Sequence, residues 1–498
     1  MPTNFSAALQ SGFGSDLYLD SLIEANAAAL GLIRINGQKR LIVAAPIGHT
    51  WLDRFGGDSA AFDHDRALKI CPLTANNARA LRIVVPNLNP VPLGLDTSAG
   101  CGDRMGLATP GHIRAFNAVK KQSGAQPVAA IFMQQSIREM TRTHRTPTDV
   151  MRDATWGAFE GGWRERLGAD ADHLKTPADI DACAAEGFSL YTIDPGAHVD
   201  SEADTAAIDT LKQKVTALRW SELESTTAET IKRYANGAFD LENQRISMSE
   251  EAAWRAAAKY GNAIAHVTMM YRYLVSKGSP FELEVSVDET ETPTSHAEHI
   301  FIVSELKRLS VQWVSLAPRY VGRFEKGVDY IGDLKALEID LAGHAAIARA
   351  FGPYKLSLHS GSDKFSVYPL IVAAARGRVH LKTAGTSYLE ALRAIARVSA
   401  PLFRELLALA IERYPIDCAS YHVSADVAKV ARPATLNDAE LPDILDQFDT
   451  REALHVTFGS ALAQYGDDIC GTLVAHEAEH YAALEAHFIK HLTPFAQH

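Results

Sequence analysis

In the stretch Lys355-Leu-Ser-Leu-His-Ser-Gly-Ser-Asp-Lys-Phe-Ser-Val-Tyr-Pro369, a strand, a histidine and an anion-ready turn follow one another without a break. Lys355 to Leu358 alternate polar and apolar as a half-buried strand does, and His359 stands where the strand ends and the turn Ser360-Gly361-Ser362 begins. A Ser-Gly-Ser turn exposes backbone N–H groups and two hydroxyls, which suit a phosphate, a carboxylate or a sugar hydroxyl. Asp363 and Lys364 add one charge of each sign. Alone, the stretch also reads as a capped loop carrying a surface histidine, so its weight depends on what the rest of the chain places beside it.

The same step from an apolar strand to a polar turn recurs. Strand candidates are Arg40 to Ala45, Pro92 to Asp96, Val128 to Met133, Ser189 to Ile193, Phe281 to Asp288, Val311 to Leu316, Lys355 to His359 and Arg378 to Thr383. Most are followed by a helix-competent segment, and strands alternating with helices are the pattern of parallel α/β architecture. Eight such units predict a (β/α)₈ TIM-type barrel over an open doubly wound sheet. The interval from about Thr155 to Gly278 holds one strand candidate and predicts an inserted helical lobe. After Ser387 the chain reads as helical, from Leu389 to Tyr414 and again from Gly471 to Ile489. The expected organisation is a barrel over 1–400, with its insertion at 155–278, and a helical C-terminal extension over 401–498 packed on it.

Composition narrows the function. The chain has 498 residues, 47% of them hydrophobic and 22% charged, which is ordinary for a globular protein. A net charge of −11 with no Lys/Arg block argues against nucleic acid as a partner, because neutralising phosphates takes clustered cations. The cysteines Cys71, Cys101, Cys183, Cys418 and Cys470 are odd in number and widely spaced, which fits neither a disulfide framework nor a zinc knuckle and suits a reducing cytoplasm. No basic leader opens the chain, and apolar runs such as Leu41 to Pro46 are too short to span a bilayer. A soluble, cytoplasmic protein is expected; an oligomer is possible but not indicated.

In a barrel, catalytic groups sit at the C-terminal ends of the strands. The second candidate strand runs into Asp96-Thr-Ser-Ala-Gly-Cys-Gly-Asp-Arg-Met-Gly106, and the third ends in Gln134-Gln135-Ser-Ile-Arg-Glu139. In the fifth, Leu283, Val285 and Val287 are expected to face the helices, leaving Glu284, Ser286 and Asp288 pointing inward, with Glu289 and Glu291 following. So many carboxylates at one strand end repel unless a cation or a shared proton relieves them. The sixth ends in Pro318-Arg319 and continues to Glu325-Lys326; the eighth supplies His380 and Lys382. The plainer readings are a solvated acidic loop, a turn residue at Asp103, and rim charges at Arg319 and Lys382. Glu284 resists that reading, because a carboxylate inside a strand needs a partner.

Three runs together resemble the tagaturonate/fructuronate epimerases of bacterial hexuronate breakdown: His359-Ser-Gly-Ser-Asp-Lys-Phe365, Phe281-Glu-Leu-Glu-Val-Ser-Val-Asp-Glu-Thr-Glu291 and Pro318-Arg-Tyr-Val-Gly-Arg-Phe-Glu-Lys-Gly-Val-Asp-Tyr330. The similarity spans most of the chain. A fainter one runs to class II aldolases and their tagatose-bisphosphate relatives, in which a strand-end histidine beside a Gly/Ser turn binds a divalent metal; Lys382-Thr-Ala-Gly-Thr-Ser-Tyr-Leu-Glu-Ala-Leu-Arg393 resembles their last strand.

The resemblance implies a small keto-uronate substrate epimerised at C4, whose hydrogen is not acidic. Two routes remain: transient oxidation by a nicotinamide, or reversible cleavage of the C3–C4 bond with reclosure on the other face. Gly100-Cys-Gly-Asp-Arg-Met-Gly106 has one residue too many for a dinucleotide fingerprint, which leaves the aldol-type route. That route calls for a divalent cation (Zn, Mn, Ni, Co or Mg) and for groups that move protons. The expected assignments are Asp103 as proton acceptor and Glu284 as donor, with Asp288 and Glu289 in reserve; His359, Glu325 and His144 as metal ligands; and Arg104, Gln135, Arg319, Ser360, Lys364 and Lys382 as substrate contacts. The aldolase pattern also calls for a histidine near Glu325, and none is there.

Other classes stay in view. Simple aldol cleavage of a keto-sugar or keto-sugar acid uses the same groups. His476-Glu-Ala-Glu-His480 matches the H-E-x-x-H of zinc peptidases, but position 486 is Ala, where an extended motif needs His, and too little chain follows for a further ligand helix. It reads as a solvated helical face. A catalytically silent barrel acting as a partner subunit fits poorly with so many polar strand ends.

Overall fold

The protein is described by a computed structural model covering residues 5–61, 65–242 and 244–497. Met1–Asn4, on which the leaderless start partly rests, lie outside the described residues. Eight parallel strands close into a barrel: β1 (Ser98–Cys101), β2 (Ala129–Ser136), β3 (Leu167–Leu174), β4 (Leu190–Ile193), β5 (Glu282–Ser286), β6 (Ser315–Ala317), β7 (Lys355–Leu358) and β8 (Val379–Thr383). Each pairs with its neighbours in chain order, and β8 closes on β1 through Leu381 opposite Ala99. Helices follow the strands, among them His296–Arg308 after β5, Leu334–Phe351 after β6 and Thr386–Val398 after β8. The fold is therefore the TIM-type barrel that the alternation predicts.

Local signals fix the helix starts. Ser295 accepts from the backbone of Glu298 while the Glu298 carboxylate accepts from Ser295, a capping box that sets where the acidic loop after β5 must end. At the other end of the chain, Glu477–Ala496 packs against Thr109–Lys120, and Gly111 permits the approach: a Cβ there would lie 2.7 Å from the Leu484 side chain. Helices Ala400–Asp417, Phe448–Val456 and Phe458–Ala475 share a second hydrophobic cluster with Thr386–Val398.

Three strand expectations need correction. Arg40 to Ala45 is a strand, but it lies in Gln38–Pro46 of a separate five-stranded antiparallel sheet built from residues 17–71. Pro92 to Asp96 is the approach to β1. The interval 155–278 holds two barrel strands, not one, since β3 was missing from the candidates. The helical insertion is correspondingly smaller. It follows β4, with short helices such as Ile208–Thr216, a hairpin of Gly237–Leu241 and Gln244–Met248, and the long helix Glu250–Ser276.

The barrel interior is polar. Leu283 and Val285 face the helices and are buried in the main hydrophobic core, so Glu284 turns inward, as strand alternation requires. Lys382 on β8 donates to Asp172 (2.9 Å) and Thr192 (2.7 Å), and its ammonium lies 2.8 Å from Asp170 and 3.1 Å from Glu284. Deeper, Lys355 donates to Ser98 (3.1 Å), whose hydroxyl meets His380 Nδ1 at 2.9 Å. Barrels of this type ordinarily fill the same positions with branched aliphatic side chains. Here an ionic layer forms the floor on which the mouth is built.

Candidate active site

Two histidines meet above that floor. His173, next to last in β3, is in a left-handed conformation (φ 55°), a strained position for a residue with a Cβ, and His359 follows β7. Their Nε2 atoms are 2.7 Å apart, and His359 Nε2 is 3.3 Å from Asp172 Oδ1. Each ring is held from behind by a carboxylate: His173 Nδ1 meets Asp194 Oδ2 at 3.3 Å and His359 Nδ1 meets Glu284 Oε1 at 3.2 Å. Asp194 is itself fixed by the Gly196 N–H (2.8 Å).

Burial disfavours charge on His173, but Asp172, the Asp194 hydrogen bond and Glu289 outweigh it and raise the imidazole to about 9. For Asp194 burial is again opposed, here by the His173 hydrogen bond and charge, which bring it down to about 2. Burial also works against ionisation of Asp172 and Glu284, yet Lys382 holds both carboxyls well below the ordinary range. Two ring nitrogens pointed at one another beside a carboxylate either share a proton or converge on a cation. Carboxylates behind both rings are the usual outer support of metal-binding histidines. The donor set Asp172, His173 and His359 therefore fits a divalent ion, and imidazole with carboxylate suits zinc, manganese or their neighbours.

The pair opens into a cavity of about 390 Å³, whose wall includes Arg138, Asp288, Arg319, Lys326 and Tyr421. A smaller recess of about 40 Å³ holds Asp172 and His173. Arg138 forks onto Glu289 (2.9 and 3.3 Å), and Glu289 Oε1 is 3.9 Å from His173 Nε2. Lys326 donates to Ser360 (3.2 Å). Asp288 accepts from Ser286 (2.5 Å) and Ser360 (3.4 Å).

Of the residues singled out in the sequence, His359, Glu325, Arg104, Arg319, Ser360 and Lys364 line this space. Glu284 lies beneath His359, fully buried between it, Ser357 and Lys382. Lys382 is likewise in the floor. Lys364 gives its ammonium to the carbonyls of Glu325 (2.7 Å), Ser362 (2.9 Å) and Val328, so it braces the loops after β6 and β7; burial lowers it to about 8. Arg104 pairs with Glu139 (2.8 Å) and lies over the Phe458 ring. Asp103 spends both oxygens on the backbone N–H groups of Met105, Gly106 and Ala108 (2.7–3.0 Å), which places it as a loop cap. Gln135 accepts from Arg145 (3.0 Å) beside that cap. His144 is exposed in a turn away from the cavity and is not brought to the other ligands.

Asp172, His173 and Asp194 were absent from the sequence reading. Their signal lay in Leu167-Gly-Ala-Asp-Ala-Asp-His-Leu174, where Asp170 and Asp172 alternate with Ala169 and Ala171. The H-E-x-x-H stretch is not a solvated face either. His476 precedes the last helix, His480 is buried, and Glu477 pairs with Arg34 and Lys39 (2.5 Å each), tying the N-terminal sheet to the C-terminal helix.

Comparison with known proteins agrees over the whole chain. The family model described as tagaturonate epimerase matches residues 18–495. A tagaturonate/fructuronate epimerase of Thermotoga maritima is 41% identical over 487 residues, covering 97% of both chains. Crystal structures of a fructuronate–tagaturonate epimerase from Cohnella laeviribosi, native and with glycerol, match with a TM-score of 0.90 at 33% identity over 99% of each chain.

Proposed function

The chain belongs to the tagaturonate epimerase family, and on that premise we propose that it interconverts D-tagaturonate and D-fructuronate by reversible cleavage of the C3–C4 bond. The observation that carries the mechanism is the His173–His359 pair, each ring backed by a carboxylate, at the mouth of the barrel.

The C4 hydroxyl is β to the C2 ketone, so removing its proton lets the C3–C4 bond break. The bonding electrons pass into a C2–C3 enediolate, and C4 becomes an aldehyde. Turning the aldehyde and reclosing the bond on its other face, with the proton returned to the C4 oxygen, gives the epimer with no change in atoms or redox state. A divalent cation held by His173, His359 and Asp172 would supply Lewis-acid stabilisation of negative charge on the substrate oxygens.

The remaining roles fall to the mouth. Glu289 is neutralised by Arg138, Glu325 is bonded by Ser424 (2.7 Å) and paired with Arg323 (3.3 Å), and Asp172 faces Lys382. Asp288 has hydroxyl partners and, among the described residues, no direct ion pair, so it is the carboxylate best placed to take and return the C4 hydroxyl proton. Lys326 and Arg319, lightly engaged on the cavity wall, suit the substrate carboxylate. Glu284 holds His359 in place and Asp103 holds the loop bearing Arg104; both act through other residues.

Turnover of C4-deuterated D-fructuronate tests the route. Bond cleavage keeps the label on C4 and gives a small ¹³C effect at C3 or C4. A primary deuterium effect together with a bound nicotinamide would overturn it, and accumulation of three-carbon fragments would favour net aldol cleavage.

A further inference from the structure

Away from the mouth, the helix after β5 and the helix after β6 face each other with three ligand-type side chains between them. Asp340 and His344 are four residues apart on Leu334–Phe351, so both project from one face toward the facing helix. His296 opens that facing helix. Asp340 Oδ1 is 3.5 Å from His296 Nε2 and 3.5 Å from His344 Nε2. A zinc ion with bonds of about 2.0–2.1 Å in tetrahedral geometry separates its donors by roughly 3.3–3.4 Å. The two distances from Asp340 therefore need only a few tenths of an ångström of adjustment, and all three ligand atoms lie within 4.8 Å of one another. Gly343 makes the approach possible, because any Cβ there would run into the His296 ring.

His344 supplies an independent observation. It is fully buried, and its Nε2 has no hydrogen-bond partner of good geometry; the Asp340 carboxylate and the Thr294 carbonyl are its neighbours. Its other nitrogen is committed: Nδ1 meets His299 Nδ1 at 2.8 Å, and His299 Nε2 meets the Tyr354 hydroxyl at 2.8 Å. With both rings neutral, the chain can be protonated in two directions. In one, Tyr354 donates to His299, His299 donates to His344 and His344 Nε2–H points at Asp340. In the other, the arrangement a metal-bound His344 takes, His344 donates from Nδ1 to His299, His299 donates from Nε2 to Tyr354, and the lone pair of His344 Nε2 is left facing Asp340 and His296. That is the outer support expected of a ligating histidine. Asp340 Oδ2 accepts from the Val321 N–H (3.1 Å), leaving Oδ1 toward the two rings.

We propose that His296, Asp340 and His344 form a second, structural site for a divalent transition metal such as zinc, with water completing the coordination on the His296 side. Through Asp340 and Val321 the ion braces the start of the 321–328 loop, which carries Glu325 and Lys326 to the cavity. The competing arrangement is visible: His296 Nε2 lies 3.1 Å from the Asp340 carbonyl, where a protonated ring would donate and no metal would be needed.

The test uses the full chain, stripped by a chelator, loaded with zinc and freed of excess by desalting. Metal per chain is counted by elemental analysis for wild type, His296→Ala, Asp340→Asn and His173→Ala/His359→Ala. His296 is partly exposed, so its removal leaves folding intact, which circular dichroism checks. The expected result is one ion fewer in His296→Ala and in Asp340→Asn than in wild type. In the His173→Ala/His359→Ala background, Tm should rise with zinc concentration, and adding His296→Ala should abolish that rise. Unchanged metal content in both His296→Ala and Asp340→Asn, or a zinc-dependent Tm that survives His296→Ala, would reduce the cluster to a hydrogen-bonded packing contact.

Discussion

Replacing Lys382 by Met would leave Asp170, Asp172 and Glu284 facing one another in the barrel floor without the cation that touches all three, at 2.8, 2.9 and 3.1 Å. Breaking a buried ion pair by removing one partner costs about 3–5 kcal/mol. A domain's whole stability is only about 5–15 kcal/mol, so the loss should be plain in both thermal and urea unfolding. Its pH dependence is more telling than its size. In the wild type, burial opposes ionisation but Lys382 holds Asp172 and Glu284 below the ordinary carboxyl range. Their contribution is therefore present above the unfolded-state values near pH 4 and is lost only as the pH falls toward the depressed folded values. In Lys382→Met the same carboxyls are raised by burial and by one another. The sign reverses: the variant is least destabilised in acid and loses stability as pH rises from about 5 to about 8, where this cluster leaves the wild type flat. A variant as stable as wild type at neutral pH, with the same slope, would refute the reading of the floor as an ionic layer neutralised by Lys382.

Asp194→Asn should weaken divalent-metal binding at the mouth by roughly 10- to 100-fold, measured by competition with a chelating dye, because it loosens the ring of His173 without removing a ligand. Asp288→Asn should lower kcat by about 10²- to 10⁴-fold while the protein stays folded; a near-normal kcat would move the proton-transfer role elsewhere. Glu477→Gln should lower stability by about 1–3 kcal/mol through its lost pairs with Arg34 and Lys39, leaving epimerisation unchanged; casein cleavage by the wild type that this variant lacks would revive the peptidase reading.

How much of this was legible depended on where strand propensity and function coincide. Lys355-Leu-Ser-Leu alternates cleanly and ends in a Ser-Gly-Ser turn, so β7 and His359 stand out, and Glu284 is flagged by Leu283 and Val285 on either side. β3 has no β-branched or aromatic residue and is rich in Asp, Gly and Ala, types depleted in strands. Its conformation comes from parallel pairing with β2 and β4 on both sides, a tertiary cause that no local pattern records. The residues that most shape the site, Asp172 and His173, were hidden for that reason. His144 stood in their place because a histidine in a loop after a strand looks the same in sequence whether or not the loop turns inward. The strand Arg40 to Ala45 shows the converse: its conformation was readable, its partners were not. Two candidates, Arg40 to Ala45 and Pro92 to Asp96, are not barrel strands, and two barrel strands, β1 and β3, had no candidate over them, so the count stayed at eight and the architecture survived errors in its parts.

The central claim is that the paired imidazoles of His173 and His359 hold a divalent cation on which epimerisation depends. The most direct measurement is conversion of D-fructuronate to D-tagaturonate, followed by chromatography, with protein stripped exhaustively by a chelator and verified metal-free by elemental analysis. The account predicts no conversion by the stripped protein, recovery on adding zinc, manganese or a similar ion, and no recovery in His173→Ala/His359→Ala. Full turnover by metal-free protein, or restoration of activity by metal in the double variant, would contradict it.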